Sequence, residues 1–337
     1  MNRCAYLDAQ HTFTLVKEEI PEPGKDEVLI KIKANGICGS DITFYSEGRL
    51  GNFVVTKPYI PGHEASGVIV KVGSQVRGFS EGDHVVIEPG IPCGTCSLCR
   101  SGRYNLCSDV VFLSAPPING TFCDYISVRS DSVHKIPNNL SFEEAAMIEP
   151  VAVAVHAVNR ANFNMGDTGV VVGAGPIGLL TLQAFKAAGG GRVICVDMVE
   201  KRLELAKELG ADEVYNVSKE NDLKDIADVV FETAGSNKAT GTLFNLARVG
   251  GSVVQVGWPE SNVVPMNIAD FIEKELTYLG VNRYANAYPA AIQWVSDGRI
   301  NVGKIITHRF NLSQIEEAFK FAVEHFKDVV KIVVLND

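Results

Sequence analysis

Strand and helix signals alternate from residue 166 to residue 280, and this alternation constrains the fold more than any other feature of the sequence. Apolar runs typical of buried strands occupy 169–172, 192–197, 228–232, 251–257 and 276–280. Segments of helical composition occupy 176–188 and 200–209, and the second of these ends at Gly210. Strands that alternate with helices at this spacing form parallel sheets, so the pattern predicts a doubly wound α/β domain.

The first of these strands leads into a glycine-rich turn, Gly173-Ala174-Gly175-Pro176-Ile177-Gly178. In a GxGxxG motif between a strand and a helix, the first glycine makes the tight turn and the second lets a pyrophosphate approach the backbone. The third glycine lets the helix pack on the strand, with the phosphates at the positive helix N-terminus. The motif predicts a dinucleotide site. The alternative is a glycine turn of purely structural use.

An acidic residue follows at the distance that dinucleotide-binding domains use. Asp197 lies 19 residues after Gly178, at the end of the second predicted strand. Its carboxylate can accept hydrogen bonds from the ribose diol of adenosine and would repel a 2′-phosphate, so NAD is favoured over NADP. Arg202 could stack or pair near the adenine, although an exposed helix arginine explains it as well.

The length of 337 residues allows about two domains. Hydrophobic residues at 46% and charged residues at 21% indicate a folded protein. Forty acidic against 31 basic residues give a net charge of −9, which disfavours nucleic-acid binding because phosphate contacts need clustered Lys and Arg. The sequence has no apolar run near the ~18 residues that a bilayer requires, and no basic N-terminal stretch followed by an apolar core. We therefore expect a cytoplasmic protein without a membrane or nucleic-acid partner.

The first 150 residues show the two-residue periodicity of β-strands. Valine or isoleucine recurs at every second position within 27–34 and within 67–73, which predicts a mostly antiparallel β domain. After residue 280 the strand and helix alternation stops, and helical segments follow at 292–295 and 315–323. We therefore predict one domain at 1–150 completed by 284–337, and a dinucleotide-binding domain at 151–283.

Four of the eight cysteines lie within 15 residues at the spacing C-x2-C-x2-C-x7-C, namely Cys93, Cys96, Cys99 and Cys107. A disulfide framework is not expected in a cytoplasmic chain of this size, so the cluster indicates a metal. Four thiolates fill a tetrahedral Zn²⁺ shell and leave no open position, so this metal would be structural. A redox CxxC pair, which leaves two cysteines unexplained, and an iron–sulfur cluster are the alternatives.

Three further residues of ligand type, Cys38, His63 and Glu64, lie in the predicted β domain. Taken alone they are explained at least as well by a small core cysteine, a histidine in a turn and a solvated acid. Four other histidines, His84, His134, His156 and His308, are predicted to be structural.

Motifs along essentially the whole chain resemble those of one enzyme family. They are GICGSD at 36–41, PGHEASG at 61–67, the four-cysteine cluster and GAGPIG at 173–178. In this order and spacing they resemble the medium-chain, zinc-dependent alcohol and polyol dehydrogenases. The polyol branch, which includes the sorbitol (L-iditol) and xylitol dehydrogenases, is further resembled by EGRLGNFVV at 47–55, IEPG at 87–90, GRYNLC at 102–107, IEP at 148–150 and RY at 283–284.

The resemblance implies a GroES-like catalytic domain joined to a Rossmann NAD-binding domain. It implies a catalytic Zn²⁺ held by Cys38, His63 and Glu64, which Glu149 approaches directly or through water, and a second, structural Zn²⁺ on the four cysteines. The alcohol-dehydrogenase branch has another cysteine ligand where residues 149–154 read EPVAVA. Glu149 could alternatively complement a helix dipole. Cofactor contacts are expected from Gly173, Gly175, Ile177, Gly178, Asp197, Arg202, Val256, Val281 and Arg283.

The resemblance also implies the reaction, in which a hydride passes to NAD from the carbon that bears a secondary hydroxyl of a polyol and leaves a ketose. Zn²⁺ lowers the pKa of a bound hydroxyl, and Ser40 is expected to relay its proton, although a serine here could simply bond the backbone. An apolar substrate wall is expected from Phe44, Leu50, Phe53 and Phe112, and hydroxyl contacts from Glu149, Arg283 and Tyr284. Many polyol enzymes carry tyrosine where this chain has Phe44.

Several other functions stay open at this point. A sibling enzyme could act on threonine, butanediol or a simple secondary alcohol on the same scaffold. A scaffold protein that only binds a cofactor would have no need for an open metal site, and a zinc-bearing nucleic-acid module is opposed by the net charge of −9. The resemblance implies a homotetramer, and the strand near 276–281 is the expected place of subunit pairing.

Overall fold

The computed structural model describes residues 1–219 and 222–336. The strands of the described residues are β1 (Asn2–Leu7), β2 (Phe13–Glu18), β3 (Glu27–Gly36), β4 (Arg49–Leu50), β5 (Phe53–Val54), β6 (Glu64–Val72), β7 (His84–Ile87), β8 (Gly90–Ile91), β9 (Val111–Phe112), β10 (Tyr125–Arg129), β11 (Val133–Lys135), β12 (Gly169–Val172), β13 (Val193–Asp197), β14 (Glu213–Asn216), β15 (Ala227–Glu232), β16 (Ala247–Gln255), β17 (Thr277–Gly280), β18 (Ile306–Asn311) and β19 (Lys331–Leu335).

The helices are α1 (Gly39–Glu47), α2 (Ser97–Arg100), α3 (Phe142–Ala146), α4 (Ile148–Arg160), α5 (Pro176–Ala187), α6 (Glu200–Glu208), α7 (Asn237–Leu246), α8 (Ile268–Glu273), α9 (Tyr288–Ser296) and α10 (Ile315–Glu324). Short 3₁₀ turns occupy Tyr104–Leu106, Ser130–Ser132 and Leu312–Gln314. None of the helices in the described part of the chain is long and apolar enough to cross a bilayer.

The chain divides into two compact units. The first comprises Met1–Glu149 and Ile306–Asp337, and the second comprises Pro150–Ile305. This differs from the sequence prediction at its second boundary, because residues 284–305 lie in the second unit. The physical reason is that this segment is anchored there: Ile300 is 1% exposed, and the backbone N–H of Asn301 donates to Gln183 of α5 at 2.7 Å.

The first unit is built on a sheet with the order β11-β7-β6-β3-β19-β18, and β10 also pairs with β3. Every pair in it is antiparallel except β18 with β19, which confirms the predicted mostly antiparallel β domain. The two-residue periodicity of β3 buries Val28, Ile30 and Ile32 against Ile69 of β6 and Ile87 of β7. Burying one face of each strand is what fixes the register of the sheet.

The second unit contains a parallel sheet with the order β14-β13-β12-β15-β16-β17. This is the doubly wound order, whose strand sequence reverses between β12 and β15, so the prediction from the sequence is confirmed. Val170, Ile194, Val230 and Val253 on neighbouring strands form its core with Phe244 of α7. The carboxyl ends of parallel strands meet at one edge, and ligands bind at that edge near the reversal.

Candidate metal centres and dinucleotide site

The four clustered cysteines form a lobe in which all four Sγ atoms lie within 4.8 Å of one another. The Sγ atom of Cys99 is 3.9 Å from that of Cys93 and 3.4 Å from that of Cys96. Zn–S bonds of ~2.3 Å place tetrahedral sulfurs about 3.8 Å apart, so the thiols fit a closed Zn²⁺ shell. Hydrogen bonds from the backbone N–H groups of Thr95 and Cys96 lower the pKa of Cys93 to about 6, which favours the thiolate form that a metal needs.

A buried carboxylate attaches the lobe to the sheet of the first unit. Glu88 follows β7 and is 7% exposed. It accepts a hydrogen bond from the hydroxyl of Tyr104 at 2.8 Å and lies 2.8 Å from Nε2 of His134 on β11. Tyr104 is three residues before the lobe ligand Cys107, so these contacts tie the lobe to a neighbouring strand.

A second cluster brings together Cys38, His63 and Glu64, each of which offers a ligand atom within 4.8 Å of the others. Cys38 is the N-cap residue of α1, and Glu64 is the first residue of β6. Glu64 is paired in register with Gly36 of β3. A Cβ atom at Gly36 would lie only 1.9 Å from Oε2 of Glu64, so the absence of a side chain at residue 36 makes room for the carboxylate. We call these three residues the mixed cluster.

Lys331 of β19 forms a buried ion pair with the mixed cluster. Its Nζ donates to Oε1 of Glu64 at 2.6 Å and also contacts Oε2, while the two side chains are only 3% and 1% exposed. Burial acts to lower the pKa of Lys331, but the negative charges of Glu64, Cys38 and Glu149 outweigh it and raise that pKa above its usual value. A lysine cation therefore compensates part of the negative charge at this site.

Asp41, in the first turn of α1, faces the histidine of the mixed cluster. Its carboxylate is fully buried, and Oδ1 lies 3.6 Å from Nδ1 of His63. Burial acts to raise the pKa of Asp41, but the charge of His63 and hydrogen bonds to the carboxylate lower it below its usual value. Burial conversely acts to lower the pKa of His63, and the charges of Asp41 and Cys38 raise it well above its usual value. These charges therefore favour the protonated form of the imidazole.

The mixed cluster has the donor set of an open Zn²⁺ site. One thiol, one imidazole and one carboxylate converge, and three protein ligands with a free fourth position are typical of catalytic zinc. Nδ1 of His63 is buried and has no hydrogen-bond partner among the described residues, and the carboxylate 3.6 Å away is the partner that metal-bound histidines commonly face. The residues present fit the metal.

The glycine motif of the second unit has the geometry that a dinucleotide loop requires. Gly173 has a φ of +99°, which favours glycine, and a Cβ atom at Gly178 would lie 1.8 Å from the carbonyl oxygen of Gly173. A Cβ atom at Gly175 would meet nothing within 4 Å, so open space adjoins the backbone there. Among the described residues no side chain caps the N-terminus of α5, whose N–H groups are available to a phosphate.

Most of the other predicted cofactor residues of this unit lie at or just after the carboxyl ends of strands in the parallel sheet. Asp197 ends β13, and its carboxylate accepts hydrogen bonds from the backbone N–H groups of Ala174 at 2.6 Å and Val199 at 2.8 Å. Val256 follows β16 and Val281 follows β17, so both lie at the edge where the carboxyl ends meet. Arg283 comes two residues later, with a φ of +55°. Arg202 is half-buried on α6.

Comparison with known proteins supports the two-unit interpretation. Residues 24–138 match the alcohol dehydrogenase GroES-like domain, and residues 176–297 match the zinc-binding dehydrogenase domain. The chain is 42% identical to sorbitol dehydrogenase of Bacillus subtilis over 323 residues, which is 94% of this chain and 92% of that protein. The chain belongs to the zinc-dependent medium-chain dehydrogenases. The resemblance that the sequence motifs indicate is therefore confirmed.

Solved structures of other zinc-dependent medium-chain dehydrogenases have the same fold. An oxidoreductase of unknown specificity from Escherichia coli superimposes with a TM-score of 0.95 at 38% identity, covering 100% of this chain and 99% of that one. The 2R,3R-butanediol dehydrogenase of B. subtilis superimposes with a TM-score of 0.92 at 31% identity, with all of both chains covered.

Within this medium-chain dehydrogenase, the predicted substrate residues divide between the units. In the first unit, the Phe112 ring lies 5.6 Å from the His63 ring, and Phe44 is 5% exposed and packs edge-on against Tyr59. Leu50 pairs with the 44% exposed Phe53 in a two-stranded ribbon. In the second unit, Tyr284 is 3% exposed and packs against Tyr288.

The two predicted catalytic residues also have defined positions in this dehydrogenase. Ser40 is half-buried in the first turn of α1, two residues after Cys38. Glu149 is 6% exposed in the first turn of α4, and its charge acts on Lys331. Among the described residues it does not join the cluster of Cys38, His63 and Glu64, so its direct approach to the metal remains a prediction.

Three residues of the site are not found from the sequence. Asp41 is signalled weakly, because its carboxylate accepts a hydrogen bond from the backbone N–H of Cys38 in the manner of a capping box. Lys331 carries no local signal and lies 267 residues from Glu64. Ser114, which bonds Asp41, lies in a loop without a recognisable motif.

Proposed function

We propose that the chain is a zinc-dependent polyol dehydrogenase that transfers a hydride from the carbon bearing a secondary hydroxyl to NAD and gives a ketose. The observation that carries this proposal is the mixed cluster of one thiol, one imidazole and one carboxylate in a chain 42% identical to a sorbitol dehydrogenase. A butanediol dehydrogenase is the second candidate. It is supported by the fold match at a TM-score of 0.92 and by Phe44, which offers no hydroxyl to a longer polyol.

In the mechanism, Cys38, His63 and Glu64 hold the catalytic Zn²⁺, which when bound supplies Lewis-acid chemistry that lowers the pKa of a substrate hydroxyl. Ser40 Oγ accepts the proton of that hydroxyl and passes it towards solvent. Asp41 keeps the imidazole of His63 oriented, and the ring of Phe112 excludes water beside it. Glu149, Arg283 and Tyr284 bind the remaining hydroxyls, and Phe44, Leu50, Phe53 and Phe112 contact the carbon chain.

The dinucleotide is bound by the second unit in this proposal. The backbone at Gly175 and the N-terminus of α5 receive the pyrophosphate, and Asp197 receives the ribose diol, which favours NAD over NADP. Gly173, Ile177, Gly178, Arg202, Val256, Val281 and Arg283 complete the cofactor contacts. The lobe of Cys93, Cys96, Cys99 and Cys107 holds the structural Zn²⁺.

We further propose a cytoplasmic homotetramer. Its support is the family membership and β17, the edge strand of the parallel sheet, where Tyr278 is 40% exposed. Light scattering of the purified protein tests this assembly.

The reaction is tested by following reduction of NAD and of NADP with sorbitol, xylitol, 2,3-butanediol, threonine and simple secondary alcohols, before and after chelation. We expect NAD-dependent oxidation of a polyol that chelation abolishes and Zn²⁺ restores. Activity on butanediol alone would favour the second candidate, and a preference for NADP would refute the role given to Asp197. Zinc analysis of the same sample should give two ions per chain.

A further inference from the structure

We propose that Ser114 is a positioning residue of the mixed cluster, where it fixes the carboxylate of Asp41 and through it the imidazole of His63. The proposal rests on the metal role of the mixed cluster in the proposed function. It adds a residue that lies outside every sequence motif of the site. Ser114 is 3% exposed and belongs to the same unit as the three ligands.

Among the described residues the hydroxyl of Ser114 has two partners, and both belong to the segments that form the site. It donates to Oδ1 of Asp41 at 2.8 Å and accepts from the backbone N–H of Gly62, the residue before His63, at 2.9 Å. The same N–H lies 3.3 Å from Oδ1 of Asp41. The hydroxyl therefore connects the carboxylate that faces His63 with the backbone that carries His63.

Oδ1 is the oxygen that matters for the histidine. It is the atom 3.6 Å from Nδ1 of His63, whereas Oδ2 accepts from the backbone N–H of Cys38 at 3.1 Å. The bond from Ser114 is the shortest of those given to this carboxylate, and it defines where Oδ1 lies. Without it, Oδ1 keeps only the longer 3.3 Å contact with the N–H of Gly62, and the partner of the His63 ring is held less firmly.

The backbone conformation at residue 114 also indicates that serine is retained there for its hydroxyl group. Ser114 has a φ of +72°, in the left-handed region that favours glycine. Glycine would remove this backbone strain but would also remove the contact with Asp41. A serine held in this conformation, with its hydroxyl on a buried carboxylate, is the pattern of strain retained at a functional site.

The test uses the full chain and the variants Ser114→Gly and Ser114→Ala, which remove the same hydroxyl, while glycine relieves the backbone strain and alanine retains it. We expect both to weaken Zn²⁺ binding at the mixed cluster by about 10- to 100-fold, the range for a lost partner of a metal-bound histidine. We also expect both to change the visible absorption of Co²⁺ bound at the mixed cluster in place of Zn²⁺, because that absorption reports ligand geometry.

The matched control is Ser127→Ala. Ser127 also donates to a carboxylate in the first unit, Oε2 of Glu27 at 2.7 Å, but it touches no residue of the mixed cluster among its described contacts. Zn²⁺ affinity and the Co²⁺ spectrum should be unchanged in this variant.

The proposal would be overturned if both Ser114 variants kept the Zn²⁺ affinity and the Co²⁺ spectrum of the parent protein. This holds also if their melting temperature fell, because hydroxyl loss would then affect stability alone. Because metal binding is read without a substrate, the two hypotheses fail separately. A parent protein that binds two Zn²⁺ but oxidises no polyol refutes the proposed function alone.

Discussion

The lobe and the mixed cluster are two metal sites within one unit, yet they are built in opposite ways. The lobe takes four like ligands from 15 residues of chain, is partly exposed, and receives backbone N–H groups from its own loop. The mixed cluster takes three unlike ligands from two distant segments and is enclosed by residues as far away as Lys331. A local loop is enough for a closed site, whereas an open, buried site needs the assembled sheet.

The charges around the two sites differ in the same way. In the lobe, backbone N–H groups donate to the sulfurs of Cys93, Cys96 and Cys107. The mixed cluster instead keeps a fixed cation, Lys331, and a fixed anion, Asp41, within its buried surroundings. We infer that the lobe serves stability, while the mixed cluster preserves reactivity.

The largest expected effect separates the two sites by function. Cys38→Ser should reduce polyol turnover by about 10³-fold, because a catalytic metal supplies several kcal/mol and each 1.36 kcal/mol is a factor of about 10. Zinc content should fall from two ions per chain to one. Steady-state kinetics and elemental analysis of the same preparation measure both. Turnover within about threefold of the parent protein would contradict the assignment.

The corresponding lobe variant, Cys96→Ser, should also leave one Zn²⁺ per chain, but the remaining ion should be the one in the mixed cluster. We expect a lower melting temperature, because structural zinc contributes folding energy. Co²⁺ absorption identifies the remaining site, because the mixed cluster offers one sulfur ligand and the lobe offers four. Loss of both ions would mean that the two sites are not independent.

The second prediction concerns the fixed cation. Lys331→Met leaves the carboxylate of Glu64 buried and unpaired, so the metal-free protein should lose about 3–5 kcal/mol of unfolding free energy. Zn²⁺ supplies a replacement positive charge, so the loss should be smaller in the loaded protein. Urea unfolding in the presence and absence of metal measures both values.

The matched control is the exposed ion pair of Lys135 with Asp83, in which Lys135 is 50% exposed. Lys135→Met should cost at most about 1 kcal/mol, and metal should not change that cost. Equal losses in the two variants would remove the distinction between the buried pair and the surface pair.

The third prediction is a pH dependence of metal binding at the mixed cluster. Because the pKa of His63 is raised in the metal-free protein, its imidazole carries a proton that metal must displace. Zn²⁺ affinity should therefore fall by at least about tenfold for each pH unit below that pKa. Competition with a chelator across pH 6 to 8 checks the slope, and a flat profile over that range would refute it.

The stability of the metal-free protein should depend on pH in the opposite direction. The stabilisation from the Asp41 and His63 pair should be lost as pH rises through the pKa of His63.

The smallest expected effect concerns a buried hydroxyl on which the charge of Asp41 acts, that of Tyr59. The hydroxyl of Tyr59 is fully buried without a hydrogen-bond partner among the described residues, and burial with the nearby charge of Asp41 raises its pKa. Tyr59→Phe should therefore raise the unfolding free energy by about 1 kcal/mol. Thermal unfolding measures this change, and Tyr6→Phe is the comparison. That variant removes a hydroxyl that donates to Glu18 at 2.7 Å, so it should be destabilised. A destabilised Tyr59→Phe would show that its hydroxyl has a partner in solution.

The sequence predicts those parts of the molecule whose geometry is local. The lobe ligands and the glycine turn are each contained in a short segment, and the apolar runs of 169–280 identify the parallel sheet. Ligand roles for Cys38, His63 and Glu64 come from family resemblance, because nothing in their spacing shows that β3, β6 and α1 bring them together.

The features that the sequence does not predict depend on tertiary contacts. Lys331 is a strand residue with no distinguishing neighbours, and only the pairing of β19 with β3 brings it to Glu64. The sequence does not predict the boundary at residue 305, because the alternation of strands and helices stops where the parallel sheet ends. The second unit nevertheless continues through α9 to Asn301, whose backbone N–H donates to Gln183 of α5.

The position of Lys331 has a consequence for the order in which the protein is made. Glu64 is synthesised 267 residues before its cation, and at translation rates of ~5–20 residues per second this interval lasts roughly 15–50 s. During that time the carboxylate lacks the charge that allows it to be buried, whereas the last lobe cysteine, Cys107, is synthesised only 43 residues after Glu64. The lobe can therefore take its metal early, whereas the mixed cluster acquires its final electrostatics only after the whole second unit has left the ribosome.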